Sequence, residues 1–132
     1  MTDLRPLVGV IDDDAPALKA ISRLLRVCGY DVCAFSSAQQ FLDQGSAIDQ
    51  RLNCLVVDVH MPGRSGLELT DDLDLADRAV PIVLVTGAAD AKLCSRAFAR
   101  GAVALLQKPF TKVELLDAVG RARDHAKTRA QA

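Results

Sequence analysis

Five short apolar runs, separated by segments of helical periodicity, leave this chain very few folds. The runs are Leu7 to Ile11, Tyr30 to Phe35, Cys54 to Val57, Val80 to Val85 and Ala102 to Leu106. Between them, apolar residues recur at spacings of three and four, as on one face of a helix. They are Ala17, Ile21, Leu24, Leu25 and Cys28; then Leu69, Leu73 and Ala76; then Leu93, Ala97 and Phe98; and last Leu115, Leu116, Val119 and Ala122. A shorter helix through Phe41 and Leu42 is expected to end near Gly45, before a polar loop from Ser46 to Asn53. Strands apolar at nearly every position need cover on both faces, which is the condition of a parallel sheet. Crossovers between parallel strands are right-handed. The expected fold is therefore α/β: a doubly wound, five-stranded parallel sheet in the order 2-1-3-4-5, built as (βα)5.

Local punctuation agrees with this reading. Asp13 or Asp14 can cap the first helix, with Pro16 in its first turn and Gly29 as its stop. Ser37-Ala-Gln-Gln40 and Thr111-Lys-Val-Glu114 read as capping boxes, and Asp90 can cap the helix that Gly101 ends. Pro81 stands at the start of its strand, where a missing N–H is tolerated. At 132 residues the chain suits one domain, with a core over about 7–126 and a tail or linker start at 127–132.

The chemistry gathers where the strands end. Asp12 and Asp13 follow the first run, Asp58 the third, Thr86 the fourth and Lys108 the fifth. In a parallel sheet these tips share one edge, and in the order 2-1-3-4-5 the first and third strands are neighbours at the switch point. Three carboxylates would converge there, an arrangement that repels itself unless a cation enters. An oxygen-only ligand set suits Mg²⁺, which completes its shell with water and phosphate oxygens. Lys108 adds a positive charge and Thr86 a hydroxyl on the other side of Asp58, and Gly87 leaves room beside them. Such groups supply the positioning and charge neutralisation that phosphoryl transfer requires, with Asp58 as the nucleophile that forms an acyl phosphate.

Four pieces of sequence, in this order and spacing, resemble the receiver domain of two-component response regulators. They are Val10-Ile-Asp-Asp13, Val57-Asp58 followed by Met61-Pro-Gly-Arg-Ser-Gly-Leu-Glu68, Val85-Thr-Gly87, and Lys108-Pro-Phe110. The resemblance runs from about Leu7 to Ala126. It implies that Asp58 accepts a phosphoryl group from a sensor histidine kinase or phosphotransfer protein, in an Mg²⁺-dependent reaction, and that the protein signals by a conformational change. It also implies that Asp13, Asp58 and the main-chain carbonyl of His60 hold the metal, with Asp12 acting through water, and that the Lys108–Pro109 bond is cis. His60 and Ala88 occupy positions that in the family tune the lifetime of the phosphoryl group. The family's output surface is usually the fourth helix, fifth strand and fifth helix. A homodimer or output domain would therefore dock there, with Lys92, Arg96 and Leu105 as contact candidates. One departure stands out: three residues before the lysine the family commonly carries an aromatic or His, and here the residue is Leu105. Leu can neither stack nor donate, so coupling at this position would run through packing.

Two other functions are weighed against this one. A phosphatase with an aspartate nucleophile would want a second acid two residues on, where this chain has His60. A flavodoxin-like nucleotide or flavin binder would want a phosphate loop rich in Gly and hydroxyls after the first strand, where this chain has Asp12, Asp13 and Asp14. The expected protein is a signalling module rather than a turnover enzyme. Net charge is −1 and the cations Arg121, Arg123, Lys127 and Arg129 lack interleaved aromatics, so no direct nucleic-acid contact is expected. No apolar run approaches the ~20 residues of a membrane span, and the N-terminus lacks a signal-peptide block, which points to the cytoplasm. Cys28, Cys33, Cys54 and Cys94 form no CxxC pair and read as small hydrophobes in a reducing compartment.

Overall fold

The computed structural model describes residues 5–131. Its strands are β1 (Leu7–Ile11), β2 (Asp31–Phe35), β3 (Leu52–Asp58), β4 (Ile82–Thr86) and β5 (Ala104–Gln107). Its helices are α1 (Ala15–Val27), α2 (Ala38–Leu42), α3 (Gly66–Leu75), α4 (Ala91–Ala99) and α5 (Lys112–Gln131), with a 3-10 turn at Ser46–Gln50. All the strand pairs are parallel and the order is β2-β1-β3-β4-β5, as expected.

Alternation along each strand explains why the runs are apolar throughout. Leu55 and Val57 of β3 face a core shared with Phe41, Leu69, Leu73, Leu93 and Ala97 from α2, α3 and α4. Cys54 and Val56 face the other core, with Ile21 and Leu25 of α1 and Leu115, Val119 and Ala122 of α5. Each fully buried aliphatic side chain contributes about 1.5–3 kcal/mol.

The caps show how the helices are aimed. Asp14, not Asp13, caps α1, its side chain accepting from Ala17 N at 3.1 Å. Asp90 caps α4, accepting from Leu93 N at 2.7 Å. Thr111 and Glu114 make a full reciprocal box at the start of α5. At α2 the Ser37 hydroxyl accepts from Gln40 N, but Gln40 reaches back to Ser36 N, one residue further out than a box requires.

Several boundaries differ from expectation. The polar loop holds the 3-10 turn, and β3 begins at Leu52, because the Asn53 side chain accepts from Leu7 N at 3.1 Å and ties that end to β1. β5 starts at Ala104, two residues late, after Val103 N has bonded Ile82 O. Ala76 caps the end of α3 in solvent, and Phe98 is 52% exposed, so neither lies on a buried stripe. On α1 the expected Ile21 and Leu25 are buried with Leu24 and Cys28 packed beside them, and Ser22 and Leu18 join that inner side. The segment from Asp124 continues α5 to Gln131, and Ala132 of the expected tail lies outside the described residues. Cys54 is fully buried while the other cysteines are half-buried, and all are free thiols. No helix among the described residues is long and apolar enough to cross a membrane.

Candidate functional site

Register builds the site. Ile11 pairs with Val57, so the next residue of each strand, Asp12 and Asp58, emerge side by side at the carboxyl edge. One carboxylate oxygen from each of Asp12, Asp13 and Asp58 lies within 4.8 Å of the others. Asp12 is almost fully buried; one of its oxygens accepts from Asp14 N at 2.9 Å and the other from Lys108 Nζ at 3.2 Å. The same ammonium lies 4.0 Å from Asp58 Oδ1. Lys108 follows β5 directly, its N–H donates to Thr86 O at 2.8 Å, and its bond to Pro109 is cis.

The electrostatics are unbalanced. Burial raises the Asp58 carboxyl above the usual carboxylate range and the Asp12 charge adds to that; Lys108 and the main-chain N–H of His60 pull it back, while Asp13 raises it further. Three acids against one ammonium leave room for added positive charge. The donors are all oxygens on a rigid edge, two of them largely withdrawn from water, and this set fits a small hard dication such as Mg²⁺.

Thr86 ends β4 fully buried, but its hydroxyl is held within its own turn: it donates to Ala88 O at 3.3 Å and accepts from Ala88 N at 3.2 Å. Asp58, Lys108, Asp12 and Asp13 are therefore brought together, while Thr86 stands beside them with its hydroxyl turned to Ala88. The His60 side chain is exposed. Lys92 and Arg96 are exposed on α4, and Leu105 is half-buried, packed on the Leu84 and Leu93 side of the sheet.

Three residues quoted above only as part of the family motif, Ser65, Gly66 and Glu68, also support the site. A Cβ on Gly66 would stand 2.7 Å from the Asp58 carbonyl oxygen and 3.1 Å from Val59 Cα, so α3 starts in direct contact with the backbone of the acid strand. Gly66 N also donates to Val59 O at 3.0 Å. Ser65 and Glu68 form a reciprocal capping box that fixes that helix start. The Ser-x-x-Glu spacing was there to read; the close approach at Gly66 was not.

Known proteins of similar sequence and fold share one family. A family model described as the response regulator receiver domain matches residues 8–120. Nodulation protein W of Bradyrhizobium diazoefficiens is 38% identical over 128 residues, covering 97% of this chain and 56% of that protein. The structure of the response regulator StyR superposes with a TM-score of 0.86 at 36% identity, over 97% of this chain and 64% of that one. The crystal structure of FixJ-N gives 0.80 at 31% identity, over 95% of this chain and 97% of that one. The chain spans about half the length of the curated relatives it matches.

Proposed function

The chain belongs to the response regulator receiver domain family, and from that premise we propose that Asp58 accepts a phosphoryl group from a sensor histidine kinase or phosphotransfer protein, in a reaction that uses Mg²⁺. The observation that carries this reading is the meeting of Asp12, Asp13 and Asp58 oxygens within 4.8 Å, faced by Lys108 Nζ at 3.2 and 4.0 Å.

In the proposed step an Asp58 carboxylate oxygen attacks phosphorus, an O–P bond forms, and the bond from phosphorus to the donor nitrogen breaks with its electron pair leaving on the donor. Asp13, Asp58 and the His60 carbonyl would hold Mg²⁺, with Asp12 acting through water; the ion supplies charge neutralisation for the phosphoryl oxygens. Lys108 stabilises the same negative charge from the opposite side and holds Asp12 in place meanwhile. Thr86 would exchange its hydrogen bond to Ala88 for one to a phosphoryl oxygen. Leu105, half-buried against Leu84 and Leu93, would then pass the shift to α4 by contact. Signalling would leave through α4, β5 and α5, where a second copy or an output domain docks, with Lys92 and Arg96 among its contacts. This domain would touch no nucleic acid itself, work in the cytoplasm, and turn over only its own phosphoryl group.

Incubation with acetyl phosphate and Mg²⁺, read by intact mass, tests the assignment. The parent should gain a single phosphoryl group that is slowly lost, and Asp58→Asn none; equal labelling of that variant sinks the proposal. Many turnovers of the donor would favour a phosphatase instead. Lys108→Ala should retain Mg²⁺ binding yet lose most of its response to phosphorylation.

A further inference from the structure

The opposite edge of the sheet carries a charged cleft that the Asp58 chemistry does not use. About 480 Å³ in volume, it is lined by Arg5, Leu7, Asp31, Arg51, Asn53 and Arg123 among others. Leu7 pairs with Asp31 and with Leu52, so the cleft lies at the amino ends of β1, β2 and β3, a strand's length from Asp12 and Asp58.

Its donors come from separate elements and several are held in place. Arg123 reaches in from α5; its guanidinium sits 5.6 Å from the centre of the Tyr30 ring and Nη1 donates to the Tyr30 hydroxyl at 3.4 Å. Its Nε is buried and has no hydrogen-bond partner among the described residues. A buried donor in that condition is costly until an acceptor arrives. Arg5 is pinned by the carbonyls of Gly29 and Arg26, and its approach to Asp31 is loose at 3.9 Å with both side chains more than half exposed. Arg51 stands exposed at the end of the 3-10 turn. Asn53 is fixed by accepting from Leu7 N, which leaves its amide N–H groups as donors.

Three guanidinium groups against the single carboxylate of Asp31 make this lining positive, in a chain whose net charge is −1. We propose that the cleft binds a small phosphate-bearing anion. Guanidinium forks match the spacing of phosphate oxygens and hold them in pairs, which a lone carboxylate ligand would use less fully. The volume admits a phosphate or pyrophosphate group together with its water. This site does not depend on the phosphoacceptor reading of Asp58.

Pyrophosphate, titrated in EDTA at constant ionic strength, is the direct probe. Without a divalent cation the acids at the other edge repel it, so binding there does not compete with this cleft. The expected result is a saturable rise in Tm, with amide shifts in NMR at Leu7, Asp31 and Asn53 rather than at Asp12 to Asp14. Arg51→Gln and Arg123→Gln should each weaken the Kd tenfold or more. Arg121→Gln, which alters an exposed pair with Asp117 on the outer side of α5, should leave it unchanged. Because Arg123 also packs on Tyr30, the exposed Arg51 variant keeps the test valid if Arg123→Gln folds poorly. A rise matched by sodium chloride, no saturation, or a parental Kd in Arg51→Gln would overturn the proposal.

Discussion

The two ends of the same strands follow opposite electrostatic plans. At the carboxyl edge, Asp12, Asp13 and Asp58 crowd together with one lysine among them. At the amino end, before β3 and β4, Arg78 meets Asp49 through two bonds of 2.9 Å, with side chains only 7% and 10% exposed. Arg78 also donates to the carbonyls of Gly45 and Leu42 and lies 5.0 Å over the Phe41 ring. Unlike the cleft at the amino ends of β1 and β2, the Arg78–Asp49 pair is satisfied by its own residues, and it holds α2, the 3-10 turn and the α3–β4 connection together. The acids at the carboxyl edge are left wanting a cation. Matched charge and surplus charge thus occupy different places on one scaffold.

The largest expected effect comes from breaking the satisfied end. Arg78→Ala leaves Asp49 buried and unpaired, and should lose about 3–5 kcal/mol in denaturant unfolding. Labelling of Asp58, expressed per folded molecule, should be unchanged; a parallel loss of labelling would mean that the two ends are coupled. Gly66→Ala attacks the reactive end through its backbone. With a Cβ forced to 2.7 Å from the Asp58 carbonyl, it should cost about 1–3 kcal/mol and slow acetyl-phosphate labelling as well.

Relieving the crowding should act the other way. The Asp58 carboxyl is raised above its ordinary value near 3.8, so the folded protein keeps that proton where the unfolded chain has lost it. The stability this group contributes is complete below the ordinary value and is lost as pH rises through the folded one. At neutral pH without divalent cations, Asp58→Asn should therefore melt higher than the parent, by roughly 2–5 °C, with the gain shrinking as pH falls through the carboxylate range. Mg²⁺ should stabilise the parent more than the variant. A variant that melts lower at neutral pH would contradict the crowding.

The smallest effect sharpens the picture of the satisfied end. Asp77 adopts φ 56° just past the end of α3, a left-handed conformation that glycine takes more easily, and it places an acid against the helix dipole. Asp77→Gly should gain about 0.5–1 kcal/mol, read as a higher denaturant midpoint.

What the sequence disclosed, and what it hid, divides along the same line. The carboxyl edge was legible because β1, β3, β4 and β5 each end on, or just before, an Asp, Thr or Lys, and parallel pairing brings Asp12 beside Asp58 whatever the loops do. The amino end was not, since Asp49 and Arg78 are 29 residues apart and neither belongs to a periodic run. Asp49 lies in a stretch that composition marks as a polar loop, although it sits in a structured turn and pairs with the guanidinium that lies over the Phe41 ring. Phe98 misled for a related reason: spacing puts it next to Ala97 on α4, but α4 buries only a narrow stripe. Thr86 was correctly placed at its strand end, yet spacing alone could not show its hydroxyl committed to Ala88.

The missing methyl group at position 66 has a mechanical consequence. Where a helix start rests on the carbonyl of Asp58 with no side chain between them, there is little slack to absorb movement. A displacement of the Asp58 main chain by a few tenths of an ångström must be answered by α3 itself, so this helix is geared to the strand it leans on.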